Sequence, residues 1–203
     1  MSTSKHSSSM RLFTAIPMPK PIADKLESWT NEYKPKLTFR KWTDPRDYHI
    51  TLQFLGDVPA QKVDALAAGL HTVQSKPLAL MLNGIGTFGP PKTPRVLWAA
   101  VSGELAQLNA LQSAVTGATS LLGFEKEDRP YAPHITLARG YAGGSDDSMR
   151  SRVDKSDCDG DLLSSIHTDV LSGMQWEVDS FVLMRTHMHA SPMYETIGKF
   201  LLG

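Results

Sequence analysis

The tetrapeptide HITL occurs twice in this chain, at His49–Leu52 within "DYHITLQF" and at His134–Leu137 within "YAPHITLA", eighty-five positions apart. Its alternating polar and aliphatic residues have the period of a half-buried strand, in which residues two apart share a face. His49 and Thr51 then point one way, and Ile50 and Leu52 the other. His134 and Thr136 repeat the arrangement, with Ile135 and Leu137 behind them. Each copy buries two aliphatic side chains and presents an imidazole and a hydroxyl. Two such strands predict an α+β fold of two pseudo-symmetric lobes, each an antiparallel sheet backed by helices. The HITL strands are expected to be equivalent members of the lobes and to face a cleft between them.

The rest of the chain supplies elements for both lobes. "MRLFTAIPM" at Met10–Met18 reads as a strand, followed by a helix with Ile22, Leu26 and Trp29 at helical spacing. "LTFRKW" at Leu37–Trp42 reads as a short strand, and "DYHITLQFLGDV" as a longer one. "PAQKVDALAAGLHTVQ" is an amphipathic helix through Val63, Leu66 and Leu70, with His71 as a structural residue near its end. "LALMLNGIG" and "RVLWAAVS" (Arg95–Ser102) are strands around the proline-rich "GPPKTP". A long helix carries Leu105, Leu108, Leu111 and Val115 and is closed by Gly123. After the second HITL strand, residues 141–168 form an acidic, Gly- and Ser-rich segment of irregular character. "WEVDSFVLMRTHM" and "PMYETIGKFLLG" read as two closing strands. The polar "MSTSKHSSSM" predicts a flexible tail over residues 1–9, which takes His6 out of consideration, and a single bilobal domain over 10–203.

A chain of 203 residues with 41% apolar content suits such a domain, and no stretch approaches the length of a membrane span. The formal net charge is zero, which disfavours a broad electrostatic grip on nucleic acid and leaves room for a local basic cleft. The single cysteine, Cys158, forms no intrachain disulfide and fits a reducing cytoplasm, the expected location of a monomer. Three motifs are set aside. "GIGTFG" at Gly84–Gly89 satisfies a dinucleotide fingerprint, but Pro90, Pro91 and Pro94 forbid the helix it needs, so these glycines serve bulges and a turn. "KSDCDGD" at Lys155–Asp161 resembles a calcium loop but fails at its first and last ligand positions, Lys155 and Ile166. "HMH" at His187–His189 has no further ligand cluster and reads as a polar turn.

The HITL pair carries the chemistry. One histidine and threonine on a strand is most often a solvated face. Two imidazoles meeting across a cleft serve as acid and base near their ordinary pKa of about 6.5, each proton transfer contributing roughly 10²–10⁴ in rate. The hydroxyls of Thr51 and Thr136 donate hydrogen bonds to an anion held between them. Arg139 lies five residues from His134, an odd offset, so its guanidinium joins that face only if the strand bends or bulges, and Gly140 just after it suits an irregular strand end.

These residues resemble the two-histidine (2H) phosphoesterases, named for paired H-x-T-x motifs. More narrowly, the chain is similar to the bacterial and archaeal RNA 2′,3′-cyclic phosphodiesterases, also called 2′-5′ RNA ligases. "RLFTAIPMP", "HITLQFLGDV", "FGPPKTPRVLW", "LLGFEKEDRPYAPHITLARG" and "VDSFVLMRTHMHASPMYETIGKF" carry the likeness. The resemblance implies that His49 gives a proton to the leaving 3′ oxygen and His134 activates water. Thr51, Thr136 and Arg139 would hold the phosphate. The product would be a 2′-phosphomonoester, and 2′-5′ ligation would be the accompanying reverse chemistry. No metal or cofactor is implied. The partner would be an RNA 3′ end or short oligonucleotide ending in a cyclic phosphate, its base stacking on Tyr131, Phe88 or Trp42. Another phosphodiester substrate, such as a 2′-5′ oligonucleotide or cyclic nucleotide, and a non-catalytic RNA-end binder are the alternatives.

Overall fold

A computed structural model describes residues 8–90, 93–142 and 171–203. Most of the acidic segment expected at 141–168, the calcium-like loop with Cys158, and residues 1–7 of the expected tail lie outside the described residues. The elements run β1 (Ser9–Pro17), α1 (Lys20–Tyr33), β2 (Phe39–Trp42), β3 (His49–Pro59), α2 (Val63–Leu70), β4 (Leu78–Phe88) and β5 (Val96–Gly103). They continue with α3 (Leu105–Ser120), β6 (His134–Tyr141), β7 (Ser172–Val178), β8 (Ser180–Thr186) and β9 (Tyr194–Leu201).

All nine described strands belong to one antiparallel sheet in the order β7-β4-β5-β6-β3-β1-β8-β9, with β2 pairing β6 from off this path. The pairing of β3 with β6 is confined to Ile50 and Ile135, the same position of the two HITL copies. The sheet therefore consists of two halves, the four strands β3-β1-β8-β9 and the five strands β6-β5-β4-β7 with β2 on β6, meeting at one narrow seam. These halves are the two lobes, and a HITL strand stands innermost in each.

A single core lies behind the seam. Ile50, Leu52, Ile135 and Leu137 are fully buried there with Leu26 and Trp29 of α1, Leu66 of α2, and Leu108 and Leu111 of α3. Each such side chain contributes roughly 1.5–3 kcal/mol by burial, so the aliphatic half of each motif anchors the strand that carries its polar half. A smaller cluster of Phe13, Ala15, Val182 and Met184 forms on the other face, with Tyr194 against it. The closing "WEVDSFVLMRTHM" stretch differs from expectation. It is two strands broken at Asp179, because β7 pairs with β4 whereas β8 pairs with β1 and β9.

The glycines of "GIGTFG" serve backbone shape. Gly84 takes φ +82° where the β4–β5 register shifts, and Gly89 takes φ +112° in the turn. A Cβ on Gly86 would meet the Trp98 ring at 2.4 Å, so that glycine lets an indole cross the strand. Gly123, at φ +86°, follows the end of α3.

Candidate active site

The register pairing Ile50 with Ile135 sets the two motifs head to tail at the seam. Paired residues of antiparallel strands share a face, so His49, Thr51, His134 and Thr136 emerge together opposite the core. All four are half-buried, while the intervening Ile50, Leu52, Ile135 and Leu137 are buried.

Both strands bulge at the same motif position. Thr14 pairs with Gln53 and Ala15 with Thr51, leaving Leu52 without a partner in β1. Leu97 pairs with Ala138 and Trp98 with Thr136, leaving Leu137 without a partner in β5. An extra residue of this kind resets the alternation of faces. Leu52 and Gln53 are buried in succession, as are Leu137 and Ala138, and the next residues, Phe54 and Arg139, return to the exposed side. The bend or bulge expected as the condition for Arg139 to join that face is present as this bulge at Leu137, ahead of Arg139 and not at Gly140, and the Arg139 Nη2 donates to the Thr136 hydroxyl at 3.4 Å.

Each imidazole is held in the same way. His49 Nδ1 is 2.7 Å from the carbonyl oxygen of Asp47, and His134 Nδ1 is 2.7 Å from that of Ala132. A carbonyl only accepts, so Nδ1 carries the hydrogen in both rings, and the neutral Nε2 keeps its lone pair for the site. His49 Nε2 also lies 3.1 Å from Thr51 Oγ1, whose hydroxyl donates to the neutral ring. The His49 pKa is lowered to about 4, chiefly by burial and further by the charges of Arg139 and His134, against the opposing pull of the Asp47 carbonyl. Burial and Arg139 also lower the His134 pKa, opposed by the Ala132 carbonyl.

The ring walls differ. Phe13 and the edge-on Tyr194 flank His49, with centroids at 5.0 and 5.2 Å. Phe88 stands edge-on to His134 at 4.8 Å, with Trp98 at 6.1 Å. Among the aromatics expected to stack a base, Phe88 borders His134 and is 36% exposed, whereas Trp42 and Tyr131 are half-buried against the core.

Asp47 is a site residue that sequence reasoning missed. Its buried carboxylate accepts the backbone N–H groups of Met193 at 2.7 Å and Tyr194 at 3.1 Å, tying the β8–β9 hairpin to the segment that positions His49. Ser191 adds a hydrogen bond to Asp44 at 2.8 Å. Nothing local in the sequence links positions nearly 150 residues apart. Phe54 was detectable, because aligning HITLQF with HITLAR puts it opposite Arg139. Among the described residues no group of three or more His, Cys, Asp or Glu side chains is placed to hold a metal ion. The "HMH" stretch enters a turn, with His187 2.7 Å from Glu195.

The geometry is that of two oriented imidazoles, two hydroxyls and one guanidinium converging on one face, a set suited to an anionic ester. Comparison with known proteins points the same way. Residues 16–98 match the family model described as LigT like Phosphoesterase. An RNA 2′,3′-cyclic phosphodiesterase of Bacillus subtilis (strain 168) is 33% identical over 194 residues, covering 94% of this chain and 96% of the relative. Another of that name, from Geobacillus stearothermophilus, is 37% identical over 194 residues, covering 94% of this chain and 57% of the relative's length. A crystal structure from Thermus thermophilus superposes with TM-score 0.71 at 28% identity, covering 95% of this chain and 97% of the other.

Proposed function

This chain belongs to the LigT-like phosphoesterase family of two-histidine enzymes, and from that premise we propose that it hydrolyses terminal 2′,3′-cyclic phosphates of RNA to 2′-phosphomonoesters. The observation that carries the reading is the duplicated H-x-T strand. Both copies have Nδ1 fixed by a main-chain carbonyl and Nε2 turned to a shared face at the seam.

The cyclic phosphate anion is held by the hydroxyls of Thr51 and Thr136 and by Arg139, which already leans on Thr136. His134, with Nε2 unprotonated, takes a proton from a water molecule as its oxygen forms a bond to phosphorus. The bond from phosphorus to the 3′ oxygen breaks, and His49, protonated at Nε2, gives its proton to that oxygen. The 2′ ester bond survives, leaving a 2′-phosphate and a free 3′ hydroxyl. The division of roles between the histidines follows the family resemblance. In the free protein burial keeps His49 neutral, so it gains its proton as the anion arrives: a negative charge beside an imidazole favours the charged form. The walls of Phe88 on one side and the 57%-exposed Phe54 on the other offer surfaces for a terminal base. A 5′ hydroxyl in place of water, giving its proton to His134 as its oxygen bonds to phosphorus and the 3′ oxygen leaves with the proton of His49, forms a 2′-5′ linkage through the same groups.

No helix among the described residues is long and apolar enough to cross a membrane. The reading is tested by incubating the protein, in excess chelator, with an RNA ending in a 2′,3′-cyclic phosphate. Appearance of the 2′-phosphate supports it. Release of the 3′-phosphate contradicts the assigned polarity, and binding without turnover favours an RNA-end binder.

A further inference from the structure

Lys41 of β2 and Arg139 of β6 are directly opposed partners in an antiparallel pair, so their side chains leave the sheet on the same face. Like charges placed directly opposite one another destabilise a strand pair. Several exposed cations elsewhere are paired with carboxylates: Arg11 with Asp57, Lys20 with Asp24, and Arg46 with Asp44. Neither Lys41 nor Arg139 has an acidic partner among the described residues. Arg139 donates to Thr136 at 3.4 Å, and the Lys41 ammonium reaches the Met193 thioether, a weak acceptor, at 4.0 Å. That contact places the ammonium across the cleft. Lys41 projects from the half of the sheet containing His134, and Met193 belongs to the hairpin fastened by Asp47 beside His49. The chain as a whole has zero formal net charge, so this cationic pair is a local feature. A like-charge pair with no acidic partner among the described residues, next to a candidate reaction site, is a departure from local stability rules of the kind that function explains.

We propose that Lys41, with Arg139 beside it, forms a subsite for the internucleotide phosphate on the 5′ side of the terminal nucleotide, so that the protein distinguishes an RNA end from a free nucleoside cyclic phosphate. The proposal rests on the function assigned above. The terminal phosphate sits at the two threonines and Arg139, which lies beyond Thr136 along β6 with Lys41 opposite it. A strand of RNA brings its next phosphate to the neighbouring position, where Lys41 provides a point charge on a flexible stem. A single nucleoside 2′,3′-cyclic phosphate has no group to place there.

The test compares three substrates: a nucleoside 2′,3′-cyclic phosphate, a dinucleotide with the same end, and that dinucleotide with an uncharged methylphosphonate linkage. The wild-type protein is expected to show kcat/KM about tenfold higher for the charged dinucleotide than for the neutral one, a ratio that Lys41→Gln brings close to one and Lys41→Arg preserves. The salt dependence on the charged dinucleotide should also become shallower in Lys41→Gln by about 0.7 in log–log slope, the value of one single-strand phosphate contact. Equal wild-type rates on charged and neutral linkages overturn the subsite while the reaction stands. So does a Lys41→Gln loss of the same factor on both linkages. Absence of hydrolysis on all three substrates overturns the assigned reaction and the subsite with it.

Discussion

The two HITL strands share a backbone and differ in their neighbours. Each has its histidine Nδ1 on the carbonyl two residues upstream, its bulge at the motif leucine, and its aliphatics in one common core. Around the first copy, His49 is shut in by Phe13 and Tyr194 and engaged by its own Thr51. Around the second, no hydrogen-bond partner for Nε2 of His134 is found among the described residues, and Arg139 occupies the place that Phe54 has in the first. The strand frame fixes tautomer and direction, while the walls fix proton affinity. Duplicated geometry thereby yields two imidazoles held alike and walled differently, His49 by Phe13 and Tyr194 and His134 by Phe88 and Trp98.

The comparison can be strained at its hydroxyls first. Thr136→Ala is expected to lower kcat/KM about ten- to a hundredfold, because it removes a donor to the anion and the anchor of Arg139. Thr51→Ala should cost a similar factor; it frees His49 Nε2 of its partner and should shift the His49 pKa alone, whereas Thr136→Ala releases the Arg139 charge that lowers both imidazoles and should shift His134 as well. Steady-state rates with imidazole titrations of both variants check this. Equal pKa effects from both substitutions would dissolve the distinction.

The clamp on the first copy gives the next largest effect. Asp47→Ala leaves the Met193 and Tyr194 amides without their carboxylate and is expected to cost about 1.5–3 kcal/mol in a denaturant melt. Activity should fall as Tyr194 moves from the His49 ring. Asp47→Asn, which retains one acceptor oxygen, should recover part of both losses. No change in melting or activity would remove the hairpin from the account.

The smallest effects concern pH. The folded His49 pKa of about 4 lies below the ordinary 6.5, so between these values the unfolded chain binds a proton that the folded chain refuses. Stability is therefore fully present above pH 6.5 and is lost as the pH falls toward 4. Bound phosphate reverses the pull on the imidazoles, so the pH profile of kcat should lie at higher pH than that of kcat/KM. Superimposable profiles would mean that the anion does not touch the histidines.

Much of this was legible in the sequence for physical reasons. The period of two in HITL declares which side chains enter the core, and burial of Ile50, Leu52, Ile135 and Leu137 follows it. Proline placement excluded a helix after Gly89, and the chain turns there. The odd offset of Arg139 identified a bend or bulge in the strand as the condition for its role. Contacts made only by tertiary folding were not legible: the Asp47 clamp, the Tyr194 wall and the Lys41–Arg139 opposition each join segments far apart in the chain. The break at Asp179 was hidden for the same reason, since partner choice decides where one apolar run becomes two strands.

The most direct test of the two-histidine account is turnover by His49→Ala and His134→Ala on RNA 2′,3′-cyclic phosphate and on an aryl phosphodiester whose leaving group needs no proton. Both variants are predicted to lose roughly 10²–10⁴ in rate on the RNA substrate. On the aryl ester His49→Ala should recover most of its loss and His134→Ala should not. Wild-type turnover of the cyclic phosphate by either variant would contradict the account.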